Sequence, residues 1–108
     1  MIRFIGPENF EQEVITEKKP VLLLVMPPGE EFPTQLELVE ETERRHGGEL
    51  KIALVQDYFI SKIREKYAIG GTPTFLILLE GKEKDRLLGV VNRETLTSFI
   101  LKCHSLSR

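Results

Sequence analysis

A single cysteine, Cys103, stands in a chain of 108 residues, and tryptophan is absent. One thiol cannot close an intramolecular disulfide, so nothing in the sequence calls for an oxidising compartment. Long apolar runs are missing as well. The longest, from Val21 to Pro28, is far short of the roughly 20 residues that a spanning helix requires, and no membrane partner is expected. Residues 1–10 lack the apolar stretch of a secretory signal, which leaves the cytoplasm as the expected compartment. A strong charge of one sign is lacking too: 15 Lys and Arg against 17 Asp and Glu give a net charge of −2, with no basic face to attract nucleic acid. There is no Gly-rich phosphate loop, nucleophile elbow or His-based triad. His46, His104 and Cys103 show no metal-ligand spacing, so neither metal nor cofactor is expected.

What is present is the material of one folded domain over residues 1–108. Hydrophobic residues make up 41% and charged residues 30%, the balance of a globular chain with a single core. Met1 to Ile5 alternates enough for a short edge strand, ended by Gly6-Pro7. Asn9 is suited to cap a helix that turns Phe10 and Val14 to one side. Lys18-Lys19-Pro20 closes that helix, because the residue before proline is pushed out of the helical region. Val21 to Met26 is continuously apolar, as a strand covered on both faces is. After Pro27-Pro28-Gly29, the spacing of Phe32, Leu36 and Val39 predicts a helix over 33–46, with Glu30 and Glu31 near its positive end, Arg44 to His46 near its negative end, and Gly47-Gly48 as the stop.

Lys51 to Val55 reads as a second strand, parallel to the first because a helix intervenes. Ile60 to Ala68 reads as a short helix, Thr74 to Leu79 as a strand, Glu80 to Glu83 as a hairpin connection, and Arg86 to Val91 as the returning antiparallel strand. Asn92 can cap a last helix whose Leu96, Phe99, Ile100 and Cys103 recur at i, i+3, i+4 and i+7. The fold class is therefore α/β, a mixed sheet of about five strands with helices on both faces.

The stretch Ile69-Gly70-Gly71-Thr72-Pro73-Thr74-Phe75 joins a helix to the most apolar strand. Its two glycines allow a tight turn, and its proline starts a strand at a position that needs no donor. A turn of this kind is also where a cis X-Pro bond persists. Together with Lys19 to Leu23, Lys51 to Val55, Lys66 to Thr74 and Glu80-Gly81-Lys82, taken in order, it resembles a thioredoxin over almost the whole chain. The Gly-Thr-Pro-Thr step is similar to that family's cis-proline loop.

The resemblance separates from the family at its chemistry. A thioredoxin works through Cys-x-x-Cys at the start of the helix after the central strand, where the helix N-terminus stabilises the attacking thiolate and a second thiol resolves the mixed disulfide. The matching residues here are Glu30-Glu31-Phe32-Pro33. Leu24 stands where the family often has a buried aspartate, and Gly29 where it usually has tryptophan. A carboxylate has no sulfur with which to form a mixed disulfide, so dithiol exchange is not expected. Two enzymatic alternatives stay open at this point. Cys103 could act as a lone thiol, although its place on an apolar stripe is also that of a small packed hydrophobe. Glu30 and Glu31 could do acid/base chemistry, although a helix N-terminus favours the ionised carboxylate and makes a poor general acid.

What the resemblance implies instead is a binding surface. The backbone of Thr72, the residue before Pro73, would pair with an extended segment of a protein partner, as in strand addition. Gly29, Glu30, Glu31 and Phe32, together with Leu88, Gly89 and Val90, are placed by the resemblance around the same groove. The expected function is that of a redox-inactive, thioredoxin-like protein that holds a protein or extended peptide as a chaperone, adaptor or assembly factor.

Overall fold

The computed structural model describes residues 2–106, with side chains up to Lys102. Five strands form one mixed sheet in the order β1-β3-β2-β4-β5. They are β1 (Arg3–Ile5), β2 (Val21–Val25), β3 (Lys51–Val55), β4 (Thr74–Leu79) and β5 (Lys82–Leu88); the helices are α1 (Phe32–His46), α2 (Ile60–Lys66) and α3 (Arg93–Leu106). β1 and β2 flank β3 in parallel, and β4 runs antiparallel to both β2 and β5.

The centre of the sheet is β2, every residue of which is buried. Its side chains alternate between two cores, because successive residues of a strand point to opposite faces. Leu22 and Leu24 pack with Ile52, Leu54, Phe75 and Ile77 beneath Val39 of α1 and Leu96, Phe99 and Ile100 of α3. Val21, Leu23 and Val25 pack on the other face with Ala53, Val55, Leu76 and Leu78 against Ile60 and Ile63 of α2 and against Val14. Burying one such side chain contributes about 1.5–3 kcal/mol, so these two layers are the main source of stability.

Several local expectations are corrected. The segment after β1 is a single π-helical turn, Glu11–Ile15, and the side chain of Asn9 does not cap it. Asn9 Oδ1 instead accepts the Gly6 N–H at 2.9 Å, and its Nδ2 donates to the Phe4 carbonyl at 3.1 Å. Bonds of this kind between an Asn side chain and nearby backbone are an alternative to capping, and here both ends of the amide are used in the turn. α1 ends with Gly47 still in the right-handed region at φ −60°, so no left-handed glycine stops it. β5 occupies Lys82–Leu88 rather than 86–91. It starts directly after a two-residue turn in which Glu80 (φ 50°) and Gly81 (φ 82°) both have positive φ, the tight hairpin geometry that matches strand twist. It ends where Gly89 takes φ 91°.

α2 also ends earlier than the sequence spacing predicts, at Lys66, after a 3-10 turn over Asp57–Phe59. Ala68 follows at φ 53°, and the Ile69 N–H donates to the Arg64 carbonyl at 2.8 Å. This is the left-handed helix ending in which glycine is the usual occupant. Asn92 does cap α3, its Oδ1 accepting the Thr95 N–H at 2.8 Å.

Candidate functional site

The register brings the loop before β4 and the loop after β5 to one end of the sheet. Thr74 pairs with Val25 on one side and with Leu88 on the other. One residue further out, the Gly89 N–H donates to the Pro73 carbonyl at 2.9 Å, and the Thr72-Pro73 peptide is cis. The parallel strands β1, β2 and β3 deliver their C-terminal ends here as well, the usual location of ligand sites in open α/β sheets.

The loop from Tyr67 to Pro73 is held from behind. Arg64 donates to the carbonyls of Ile69 (3.3 Å) and Gly70 (2.9 Å), and Arg86 donates to those of Tyr67 (2.6 Å) and Ala68 (3.3 Å). Arg86 is fixed in turn by Glu83, which grips the guanidinium at 2.6 Å through both oxygens and raises its pKa. The hydroxyl of Thr74, fully buried, donates to the Gly71 carbonyl at 2.7 Å. Four consecutive carbonyls of the loop after α2, from Tyr67 to Gly70, are thus satisfied by two guanidinium groups. Thr72 is different. Neither its N–H nor its C=O makes a hydrogen bond to any described residue.

Across from this loop, α1 is tied to the turn after β5. The Gln35 amide, 1% exposed, donates to the Val91 carbonyl at 3.0 Å and accepts the Val91 N–H at 3.2 Å. Sequence reasoning missed Gln35, Thr74, Arg64 and Arg86. For Gln35 a signal existed: with Val39 and Thr42 it recurs at i, i+4 and i+7, which places a polar residue on the inward helix face.

Of the residues named from sequence, Thr72, Pro73, Leu88, Gly89 and Val90 are brought together by this register. Leu88 is 66% exposed and Val90 49%, so neither belongs to the core. Phe32 is half-buried at the first turn of α1 and packs against the layer that includes Leu87 and Val91. Gly29, Glu30 and Glu31 form the exposed turn before α1, closed by a bond from the Phe32 N–H to the Gly29 carbonyl at 3.2 Å. Among the described residues, no hydrogen bond joins this turn to the Thr72 loop. Both carboxylates precede the first helical residue, and neither caps the helix through its side chain.

Beside Phe32, on the side away from Pro73, lies a second feature that sequence reasoning did not find. A cleft of about 210 Å³ opens between Phe4, Met26, Pro28, Phe32 and Val55, with Asp57 at its edge. Its walls are mostly apolar, and Phe4 is 46% exposed.

Glu30 and Glu31 face solvent, and no group of three His, Cys, Asp or Glu among the described residues could hold a metal. Cys103 falls ten residues beyond Arg93 in α3, which puts its backbone roughly 15 Å along the helix from this end of the sheet; its side chain lies outside the described residues. No helix among the described residues is long and apolar enough to cross a membrane. No family model matches the chain.

Proposed function

We propose that the chain is a redox-inactive, thioredoxin-like protein that binds an extended segment of a protein partner in the groove beside Thr72-Pro73. The observation that carries this reading is the unbonded backbone of Thr72 next to two exposed apolar side chains, Leu88 and Val90. A free N–H and C=O held in place by a braced loop form a template for one more strand-like segment. Support for the family reading comes from the mixed five-stranded sheet with helices on both faces, and the redox-inactive part of it rests on Glu30 and Pro33, which carry no sulfur where the resemblance would set the two cysteines.

Energetics sets the division of labour. A micromolar complex needs about 8 kcal/mol, and each net hydrogen bond supplies only about 0.5–1.5 kcal/mol. Thr72 therefore gives direction, while Leu88, Val90 and Phe32 give most of the affinity.

The test is capture of partners from the native source with wild-type protein and with Leu88→Asp/Val90→Asp. Both positions are exposed, so the fold is retained, and the specific partner is lost from the variant. An identical partner set would overturn the groove as the binding site. An insulin-reduction assay is expected to give no turnover above blank, and turnover would overturn the redox-inactive reading.

A further inference from the structure

The loops that meet at the functional end of the sheet are the segments 6–9, 26–32, 56–59, 70–73 and 89–92. They carry Glu8, Glu30, Glu31 and Asp57 and no Lys, Arg or His, although the whole chain has a net charge of only −2. The remainder of the molecule is therefore positive, and the carboxylates are concentrated where the sheet ends. Glu8 is engaged by the Tyr58 hydroxyl at 2.9 and 3.0 Å, whereas Glu30, Glu31 and Asp57 form no ion pair among the described residues. Three guanidinium groups have partners elsewhere: Arg3, beside Phe4, reaches Glu13 at 3.7 Å, Arg64 lies on the Ile69 and Gly70 carbonyls, and Arg93 lies on Glu41 at 2.6 Å.

Asp57 lines the cleft walled by Phe4, Met26, Pro28, Phe32 and Val55, and Glu30 and Glu31 lie in the exposed turn between two of its walls, Pro28 and Phe32. At about 210 Å³ the cleft is smaller than the roughly 300–1,000 Å³ of small-molecule sites, and its apolar walls offer little to orient a polar cofactor. Strand addition at the neighbouring edge of β1 is blocked, because Asn9 already occupies the Phe4 carbonyl. The cleft is therefore a seat for a side chain rather than for a strand. A partially exposed apolar hollow with one carboxylate in its lining and two on the adjoining turn fits a segment that carries an apolar anchor flanked by the opposite sign.

We infer that the cleft between Phe4 and Phe32 is a specificity pocket for a basic protein segment, seating one aliphatic side chain while flanking Lys or Arg residues pair with Glu30, Glu31 and Asp57. This rests on the reading that a protein segment docks at this end of the sheet, and it names the chemistry of that segment. Exposed ion pairs are individually weak and screened by salt, so selectivity comes from several acting together around the anchored side chain.

The experiment titrates the 15N-labelled full chain with blocked octapeptides built around a central leucine, one Lys-rich and one Glu-rich, at low salt and at high salt. The Lys-rich peptide is expected to bind about tenfold more tightly at low salt, and the advantage disappears as added salt screens the pairs. Glu30→Gln/Glu31→Gln/Asp57→Asn, three exposed changes that leave the fold intact, removes the preference, and the amides of Phe4 and Val55 shift on binding. Equal affinity for both peptides with shifts confined to Thr72 and Gly89 would overturn this inference and leave the groove reading standing. Shifts at Phe4, Val55 and Asp57 alone, with the Lys preference, would support the inference and overturn the groove. Undiminished binding of a Lys-rich peptide with serine for its leucine, or binding of neither peptide, would overturn the inference.

Discussion

Gln35 and Val91 face each other as two strands would: the side-chain amide of one exchanges both of its hydrogen-bonding functions with the backbone of the other, at 3.0 and 3.2 Å. A single buried side chain on α1 thus stands in for a missing strand partner just beyond the edge of the sheet. It fixes the helix start, with Phe32 on it, relative to the turn that carries Gly89 and Val90.

Gln35→Leu keeps the volume and removes both bonds, leaving the Val91 N–H and C=O without their partner in a half-buried position. Such a loss costs about 1–3 kcal/mol, and urea unfolding is expected to show it as a lower midpoint at unchanged slope. Gln35→Glu retains an acceptor for the Val91 N–H but cannot donate to the carbonyl, so its midpoint is expected to be lowered as well. Unchanged midpoints for both variants would show that the pairing contributes nothing to stability.

Ala68 is the second place where a local rule is broken. An alanine at φ 53° pays the steric penalty of the left-handed region, which glycine avoids, and its position is exposed. Ala68→Gly is expected to raise stability by about 1 kcal/mol, the left-handed penalty less the extra chain entropy of glycine. Thermal unfolding measures this, and a lower melting temperature would contradict it.

The parts of the fold that were legible are those where burial dictates sequence. β2 has no polar residue because both of its faces are covered, and β3 and β4 read the same way for the same reason. β5 starts four residues before the Arg86 that the sequence pattern suggests because an edge strand is free to be charged: Lys82 to Asp85 has no apolar residue, yet those charges suit an unpaired edge. The commonest roles of Asn9 and Gly47, helix cap and left-handed stop, are each overridden by a contact or dihedral set by the surrounding turn. Of the site, Pro73, Leu88 and Gly89 are grouped in the sequence only by the resemblance, and the register of β4 with β5 brings them together. The acidic end could not be read from the sequence, since it exists only once separate loops converge. Nothing in the spacing of Phe4, Phe32 and Val55 announces the cleft, because its walls come from three different elements.

Acid is expected to remove a stabilising contribution at the end of the sheet opposite the groove. Glu17 accepts the Lys19 N–H at 3.1 Å and pairs with the Lys51 ammonium at 3.2 Å, and these hold its carboxyl below the ordinary value of 4.5 in spite of partial burial. A carboxyl with a depressed folded-state pKa adds stability above its unfolded value, and that stability is lost as pH falls from 4.5 through the folded value. Glu17→Gln keeps an acceptor for the Lys19 N–H and removes the charge. The variant is expected to be less stable than wild type at neutral pH and to approach it in acid, as read from urea midpoints at a series of pH values. Parallel curves across the whole series would exclude Glu17 as a contributor.

Gly89 offers a test that separates backbone shape from side-chain contact at the groove. A Cβ there would meet nothing within 4 Å, so any cost of Gly89→Ala comes from its φ of 91° alone. That conformation is one that side chains with a Cβ rarely adopt, and the change is expected to cost about 1–2 kcal/mol in urea unfolding. Relief of the strain moves the Gly89 N–H away from the Pro73 carbonyl, to which it now donates at 2.9 Å. Amide exchange at residue 89 is therefore expected to accelerate in the variant beyond what the global loss of stability explains, while exchange in β2 follows global unfolding. The displacement also reaches Thr72, so partner capture weakens even though Leu88 and Val90 are untouched. If the variant keeps full partner binding with this hydrogen bond lost, the groove does not require the bridge from Gly89 to Pro73.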